Sequence, residues 1–375
     1  MKPIIKLVCL AAIFLGTSEI KAQKLNLLIG TYTSPGKSEG IYVYEFDDKT
    51  GKAGYKNKVS GIENPSYLAI SSNKNFVYAV NEAGPGKGGV SAFTFDGKTG
   101  TLKLLGKTSS EGNGPCYVAV NKSSDHVFAG NYGGGNFSVL PVLENGSLGK
   151  AVQVIQHTGS SADKSRQDKP HVHSTIFSPD EKILFVSDLG TDKIMAYSYN
   201  KDNKSQPLTE NKQATATVGA GSGPRHLAFS RDGKFAYSIQ EMTGNITVFR
   251  YTGSKMETVQ NISMLAEGFK GDTGAADIHV SPDGKFLYST NRGDANDIAI
   301  FSIDKKNGML KLTGRHPSMG TGPRNFVISP SGNYLLVGNQ KSDTVIILRR
   351  DKKTGMLNDT GERINVGSPV CLKFP

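Results

Sequence analysis

One pattern recurs six times along this chain, and it decides the architecture. Each copy has a small or proline-containing start, an apolar strand, a Ser/Asp/Gly turn and a second strand that ends in a polar residue. The copies read NPSYLAISSNKNFVYAVNE, GPCYVAVNKSSDHVFAGNY, HVHSTIFSPDEKILFVSDL, GPRHLAFSRDGKFAYSIQE, AADIHVSPDGKFLYSTNR and GPRNFVISPSGNYLLVGNQ. Aligned at the first strand, they bring Ser66, Cys116, His173, Arg225, Ala276 and Arg324 into register, at steps of 50, 57, 52, 51 and 48 residues. A period of about 50 residues built from short strands is the mark of a propeller, with one four-stranded sheet per blade.

A seventh copy is split between the chain ends. SPVCLKFP, residues 368–375, is only the first half of the pattern, with Val370 in the Arg225 register. LNLLIGTY, ending at Tyr32, supplies the other half, and GIYVYEF follows it. An open ring of sheets leaves unpaired edges that invite aggregation, so closure is expected. The spacing therefore predicts an all-β, seven-bladed β-propeller whose last blade combines residues 25–60 with 368–375. The segments DGKTGTLKLLG, KKNGMLKLTG and DKKTGMLNDTG read as hairpins joining the third and fourth strands of blades. No stretch after residue 22 shows a helical period. Tryptophan is absent, which excludes a WD-type propeller.

Residues 1–22 read as a secretory signal. Lys2 and Lys6 precede the apolar run LVCLAAIFLG, and Ile20-Lys21-Ala22 offers a cleavage site. The run is too short to span a bilayer, so no membrane span is expected. The expectation is an exported, periplasmic or extracellular protein whose residues 23–375 form one propeller domain. A monomer is its simplest state. Cys116 and Cys371 belong to different copies and are expected as free buried thiols. The net charge of +11 is scattered through turns such as DKKTG. With no basic arm and no Arg/aromatic interleaving, the chain has no nucleic-acid module.

Several short motifs imitate chemistry. Gly36-Lys37-Ser38-Glu39-Gly40 fits G-x-S-x-G, but that motif needs a strand-turn-helix elbow, and strands flank this one. The glycines at 84, 86 and 89 fit G-x-G-x-x-G, yet a strand rather than a helix follows. His171 and His173 would share a strand face, but no third ligand stands at a supporting interval. Neither a metal nor a cofactor is expected.

Two registers carry the chemistry. The first opens the inner strands: Ser66, Cys116, His173, Arg225, Ala276, Arg324 and Val370. The second follows the next strands: Tyr32, Glu82, Tyr132, Leu189, Glu241, Arg292 and Gln340. Successive strands of a blade run antiparallel, so both registers should ring one mouth of the central channel. Purely structural positions in a repeat converge on apolar residues, whereas these diverge to charged ones. His226, next to Arg225, should face the other side of the sheet, and His279 should pack between blades.

At these residues the sequence resembles the seven-bladed propeller lactonases, the family of the propeller-type 6-phosphogluconolactonase. The carriers are IGTYT with GIYVYEF, NPSYLAIS with YAVNE, P-H-x-H ending at His173, GPRHLAFS followed by QE, DIHVSPDGKFLYSTNR, and GPRNFVISPSG with GNQKSD. The chain is also similar, more distantly, to the fungal carboxymuconate cyclases, which use a His, two Arg and a Glu at the channel mouth. The resemblance places those roles on His173 (or His171), Arg225, Glu241 and Arg292. It departs from the family at PDEK in the third copy and at Ala276-Asp277, where Ala-Glu is expected. It implies lactone hydrolysis of an anionic small-molecule substrate. Glu241 or His173 would be the general base, Arg225 would face the oxyanion, and Arg292 with Arg324 would hold a phosphate or carboxylate. Glu82, Tyr132, His171, Gln340 and Tyr32 would complete the substrate site. A non-catalytic binding propeller and a cyclase-like isomerase are the alternatives, because a fold alone does not settle function.

Overall fold

The computed structural model describes residues 24–375, so the expected signal segment lies outside the described residues. Seven antiparallel sheets follow one another around a ring. The first blade contains Leu68–Ile70, Phe76–Asn81, Gly89–Asp96 and Thr101–Ser109. The second to sixth blades begin with Pro115–Val120, Val172–Phe177, Pro224–Phe229, Ala275–Val280 and Pro323–Ile328. The closing blade runs Pro369–Lys373, Lys24–Thr31, Gly40–Asp47, Ala53–Ser60, with both chain ends in one sheet as the split copy predicts. The third blade departs from the rule: its outer strand is broken into Leu208–Glu210 and Ala216–Thr217, both paired to Lys193–Tyr199.

The core is a series of apolar seams between blades rather than one centre. One seam joins Tyr237, Ile239 and Phe301, and another joins Tyr288, Phe326 and Leu348. The hairpin glycines belong to these seams. Gly308 and Gly355 take φ of +72° and +78°, and a Cβ on either would strike the Phe235 or Phe286 ring of the preceding blade. Their carbonyls accept hydrogen bonds from Tyr237 and Tyr288 at 3.1 and 2.7 Å. The same close approach recurs where Gly146 meets the Phe76 ring and Gly51 meets the Tyr334 ring. Register shifts between third and fourth strands, as at Ala92/Phe93 and Ile300/Phe301, twist the outer edges and discourage sheet-to-sheet association.

Two recurring devices aim residues at the channel. In the first six blades the last residue of the second strand is a buried amide or acid. Asn131 and Asn339, for example, donate to the Ser110 and Ser318 carbonyls at 2.9 Å. That tie pins the incoming inter-blade link beside the residue that follows. The second device is a bulge where the inner strand begins, seen between Pro115/Tyr117, Val172/Ser174, Pro224/Leu227, Ala275/Ile278 and Pro323/Asn325. An extra residue at a bulge cancels the ordinary alternation of faces. His226 therefore does not face away from Arg225. Its ring meets Tyr67 and Tyr117 of the first and second blades, at 5.8 and 5.4 Å, and so lies in the channel beneath Arg225. His279 pairs with Asp277 at 2.9 Å and packs edge-on against Phe326 of the next blade, as expected. Cys116 and Cys371 are free and buried.

Candidate active site

The channel mouth holds a cavity of 470 Å³. Eight of the expected residues line it: Tyr32, Glu82, Tyr132, His173, Glu241, Arg292, Arg324 and Gln340. The aligned registers therefore converge in space. Below them Tyr67 and Tyr117 stack at 4.1 Å and meet the His226 ring, forming a floor across the channel.

Glu241 organises one side of the cavity. It follows Phe235–Gln240, and its backbone N–H donates to the Gly223 carbonyl at 2.8 Å. Its Oε2 accepts from Arg225 Nε at 2.9 Å and lies 3.0 Å from Arg292 Nη2, while Oε1 accepts from Arg166 Nη2 at 2.7 Å. His173 Nε2 stands 4.0 Å from Oε2. Burial opposes ionisation of this carboxyl, but Arg292, Arg225, His173 and Arg166 outweigh it and hold Glu241 well below the usual carboxylate range. Burial, then Arg225 and His226, keep His173 well below the ordinary imidazole value, so its ring is neutral near pH 7. Burial pushes Arg292 down to about 10 against the pull of Glu241.

The opposite side is built differently. Glu82 Oε2 accepts from Tyr32 Oη at 2.8 Å and from the Ser66 hydroxyl. The Arg324 guanidinium lies over the Tyr32 ring, 5.3 Å from its centroid, and has no hydrogen-bond or ion-pair partner among the described residues. Burial acts against its charge, yet the neighbouring Tyr32 and Glu82 hold it firmly protonated. Cys116 contacts the carbonyls of Val172 and His173 through its sulfur, and burial pushes its thiol up to about 12.

Two expected site residues stand outside the cavity wall. Arg225 is 2% exposed, and Nη1 is spent on the Ala276 carbonyl, so it acts behind Glu241. His171 stacks on Tyr132 at 4.5 Å, and its Nδ1 lies 2.9 Å from the Tyr132 carbonyl oxygen. In exchange, the cavity gains Arg166 and Lys341. Arg166 sits on the long link before the third blade, pinned where Gln167 donates to Asp192 and Leu189 at 2.8 Å. The 57-residue step between Cys116 and His173 marks that insertion in the sequence. Among the described residues no three His, Cys, Asp or Glu side chains converge as a metal ion requires.

The ring of sheets and its charged mouth define a propeller built to hold a small polar molecule over a closed floor. The chain belongs to the lactonase, seven-bladed β-propeller family, whose model matches residues 26–374. The 6-phosphogluconolactonase of Formosa agariphila is 37% identical over 351 residues, covering 93% of this chain and 99% of that one. That of Bacillus subtilis is 34% identical, covering 92% and 97%. The solved structure of the Pseudomonas aeruginosa periplasmic gluconolactonase superposes with a TM-score of 0.90 at 38% identity, covering 94% and 99%.

Proposed function

We propose that this chain hydrolyses a sugar lactone, with 6-phosphogluconolactone or an unphosphorylated aldonolactone as substrate. The observation that carries the reading is the charge of the cavity. Arg166, Arg292, Arg324 and Lys341 face Glu82 and Glu241, so cationic charge is in excess where a lactone would sit. Ester hydrolysis passes through an oxyanion, and preorganised donors aimed at that charge give the largest catalytic contribution.

In this reading Glu241 is an organiser. Three guanidinium groups share its two oxygens, which fixes them before substrate arrives. Arg324, free of partners, receives the lactone carbonyl oxygen, and the unspent edges of Arg292 and Arg166 hold an anionic tail. Tyr132 and Gln340 complete the wall for the sugar hydroxyls. Export is part of the proposal: the basic start and apolar run of residues 1–22 support it, as does the periplasmic relative. Phosphorylated sugars are made inside cells, so an exported enzyme would favour the unphosphorylated lactone.

The test is hydrolysis of freshly prepared glucono-δ-lactone and its 6-phosphate, measured against the spontaneous rate. Acceleration of either supports the lactonase, and their ratio of kcat/KM names the preferred form. No acceleration of sugar lactones alongside turnover of a muconolactone would favour cyclase-type chemistry.

A further inference from the structure

A lactonase needs a group with a lone pair that reaches the cavity, because water at neutral pH attacks an ester slowly without a base. The cavity wall offers four side chains of suitable type: Glu241, His173, Cys116 and Glu82. Glu241 spends both oxygens on guanidinium groups. His173 has a sealed Nδ1, buried and without a partner, while Nε2 faces the Glu241 carboxylate. A proton on Nδ1 would be a buried orphan donor, costing about 1–3 kcal/mol. The favoured tautomer therefore carries its proton on Nε2, and its free lone pair points away from the cavity. Cys116 is a neutral thiol whose sulfur is turned to backbone carbonyls.

Glu82 differs from all three. Its Oε2 is held by two neutral hydroxyls, Tyr32 and Ser66, and Oε1 has no donor among the described residues. It makes no ion pair within the described chain, yet lies beside the unpartnered Arg324. Tyr32, Glu82 and Arg324 come from the closing, first and sixth blades, which are neighbours. Glu241, His173 and Arg292 come from the third to fifth blades across the mouth.

We propose that Glu82 is the general base, working opposite the Glu241 cluster and beside Arg324. This rests on the lactonase reading above and names the residue that activates water. Glu82 Oε1 takes a proton from water as the water oxygen bonds to the lactone carbonyl carbon. The C=O electron pair moves to oxygen, which Arg324 faces. When the carbonyl re-forms, the ring C–O bond breaks and Glu82 returns the proton to the ring oxygen. The product is the open hydroxy acid, which ionises in solution. Tyr32 and Ser66 are positioning residues that turn Oε1 into the cavity.

The experiment compares wild type with Glu82→Gln and Glu82→Ala on the better of the two gluconolactones. Glu82→Gln keeps the shape and can still accept from Tyr32 and Ser66. Its kcat should fall by about 10² or more, with KM within about threefold of wild type. Added formate should restore part of the turnover of Glu82→Ala and leave wild type unchanged. Wild-type hydrolysis with an unimpaired Glu82→Gln, or a Glu82→Ala variant that folds and does not respond to formate, overturns the assignment and spares the lactonase. A wild type that accelerates neither lactone overturns both.

Discussion

Replacing Glu241 by Gln separates an organiser from a base. The carboxylate is 10% exposed and is the shared counter-ion of Arg225, Arg292 and Arg166, two of them through one oxygen. Glutamine keeps the volume and removes the charge. Arg225 is then a buried cation with no counter-ion, and Arg292, already pushed down to about 10, loses the partner that resists further decline. Removing one member of a buried ion pair costs about 3–5 kcal/mol. The Arg166 contribution is discounted, because its side chain is 45% exposed and exposed pairs are worth about 0–1 kcal/mol. The expected loss at pH 7 is therefore about 3–5 kcal/mol, read as a lower urea midpoint at unchanged slope. Adding Arg225→Met should return part of that loss, since the orphan cation goes with it, and the double-mutant cycle measures the coupling. A Glu241→Gln protein as stable as wild type would refute the reasoning. That result would mean that the guanidinium groups do not depend on this carboxylate.

Arg166→Ala should leave stability within about 1 kcal/mol, because the residue is half exposed. It should raise KM for the phosphorylated lactone by about tenfold, equivalent to ~1.4 kcal/mol of lost binding, with a smaller effect on glucono-δ-lactone; equal KM values for variant and wild type would remove Arg166 from the substrate site. The fold should weaken on acidification. Burial holds His226 down to about 4, so the unfolded chain takes up its proton first as pH drops below the ordinary value of 6.5. Stability is therefore greatest above that value and declines toward about 4, with ~2 kcal/mol lost by pH 5 from this group; equal urea midpoints at pH 7 and pH 5 would contradict it. Gly355→Ala should cost ~1–3 kcal/mol from backbone strain alone, more if the Phe286 ring cannot shift; calorimetry showing an unchanged Tm would show that the hairpin tip can move off that ring.

The mouth of the ring was legible in the residues because the repeat is a coordinate system. Positions that recur every blade must lie on one circle. Glu82, Glu241 and Arg292 could therefore be placed together without any knowledge of distances. Closure by Pro369–Lys373 followed from the half copy, since an unpaired inner strand has only one sheet left to join. Chain order also showed that the third link was long. These properties depend on periodicity and count, which a sequence carries directly.

Direction and partnership were decided by the tertiary structure. The bulge at each inner strand needs both strands in place, and it turned His226 into the channel against simple alternation. Arg225 and Arg324 occupy equivalent positions in their copies. One is consumed by Glu241 of its own blade and the Ala276 carbonyl of the next, while the other, whose blade carries Gln340 at the Glu241 position, stays free. Arg166 enters the site from outside the repeat, and only the docking of its link through Gln167 and Asp192 places it there. Sequence spacing fixes which residues share a ring. Which of them pair, and which keep a lone pair or a charge for substrate, is set by contacts within a blade, as between Arg225 and Glu241, together with contacts between residues 50 or more positions apart, as between Tyr32 and Glu82 or Arg166 and Glu241.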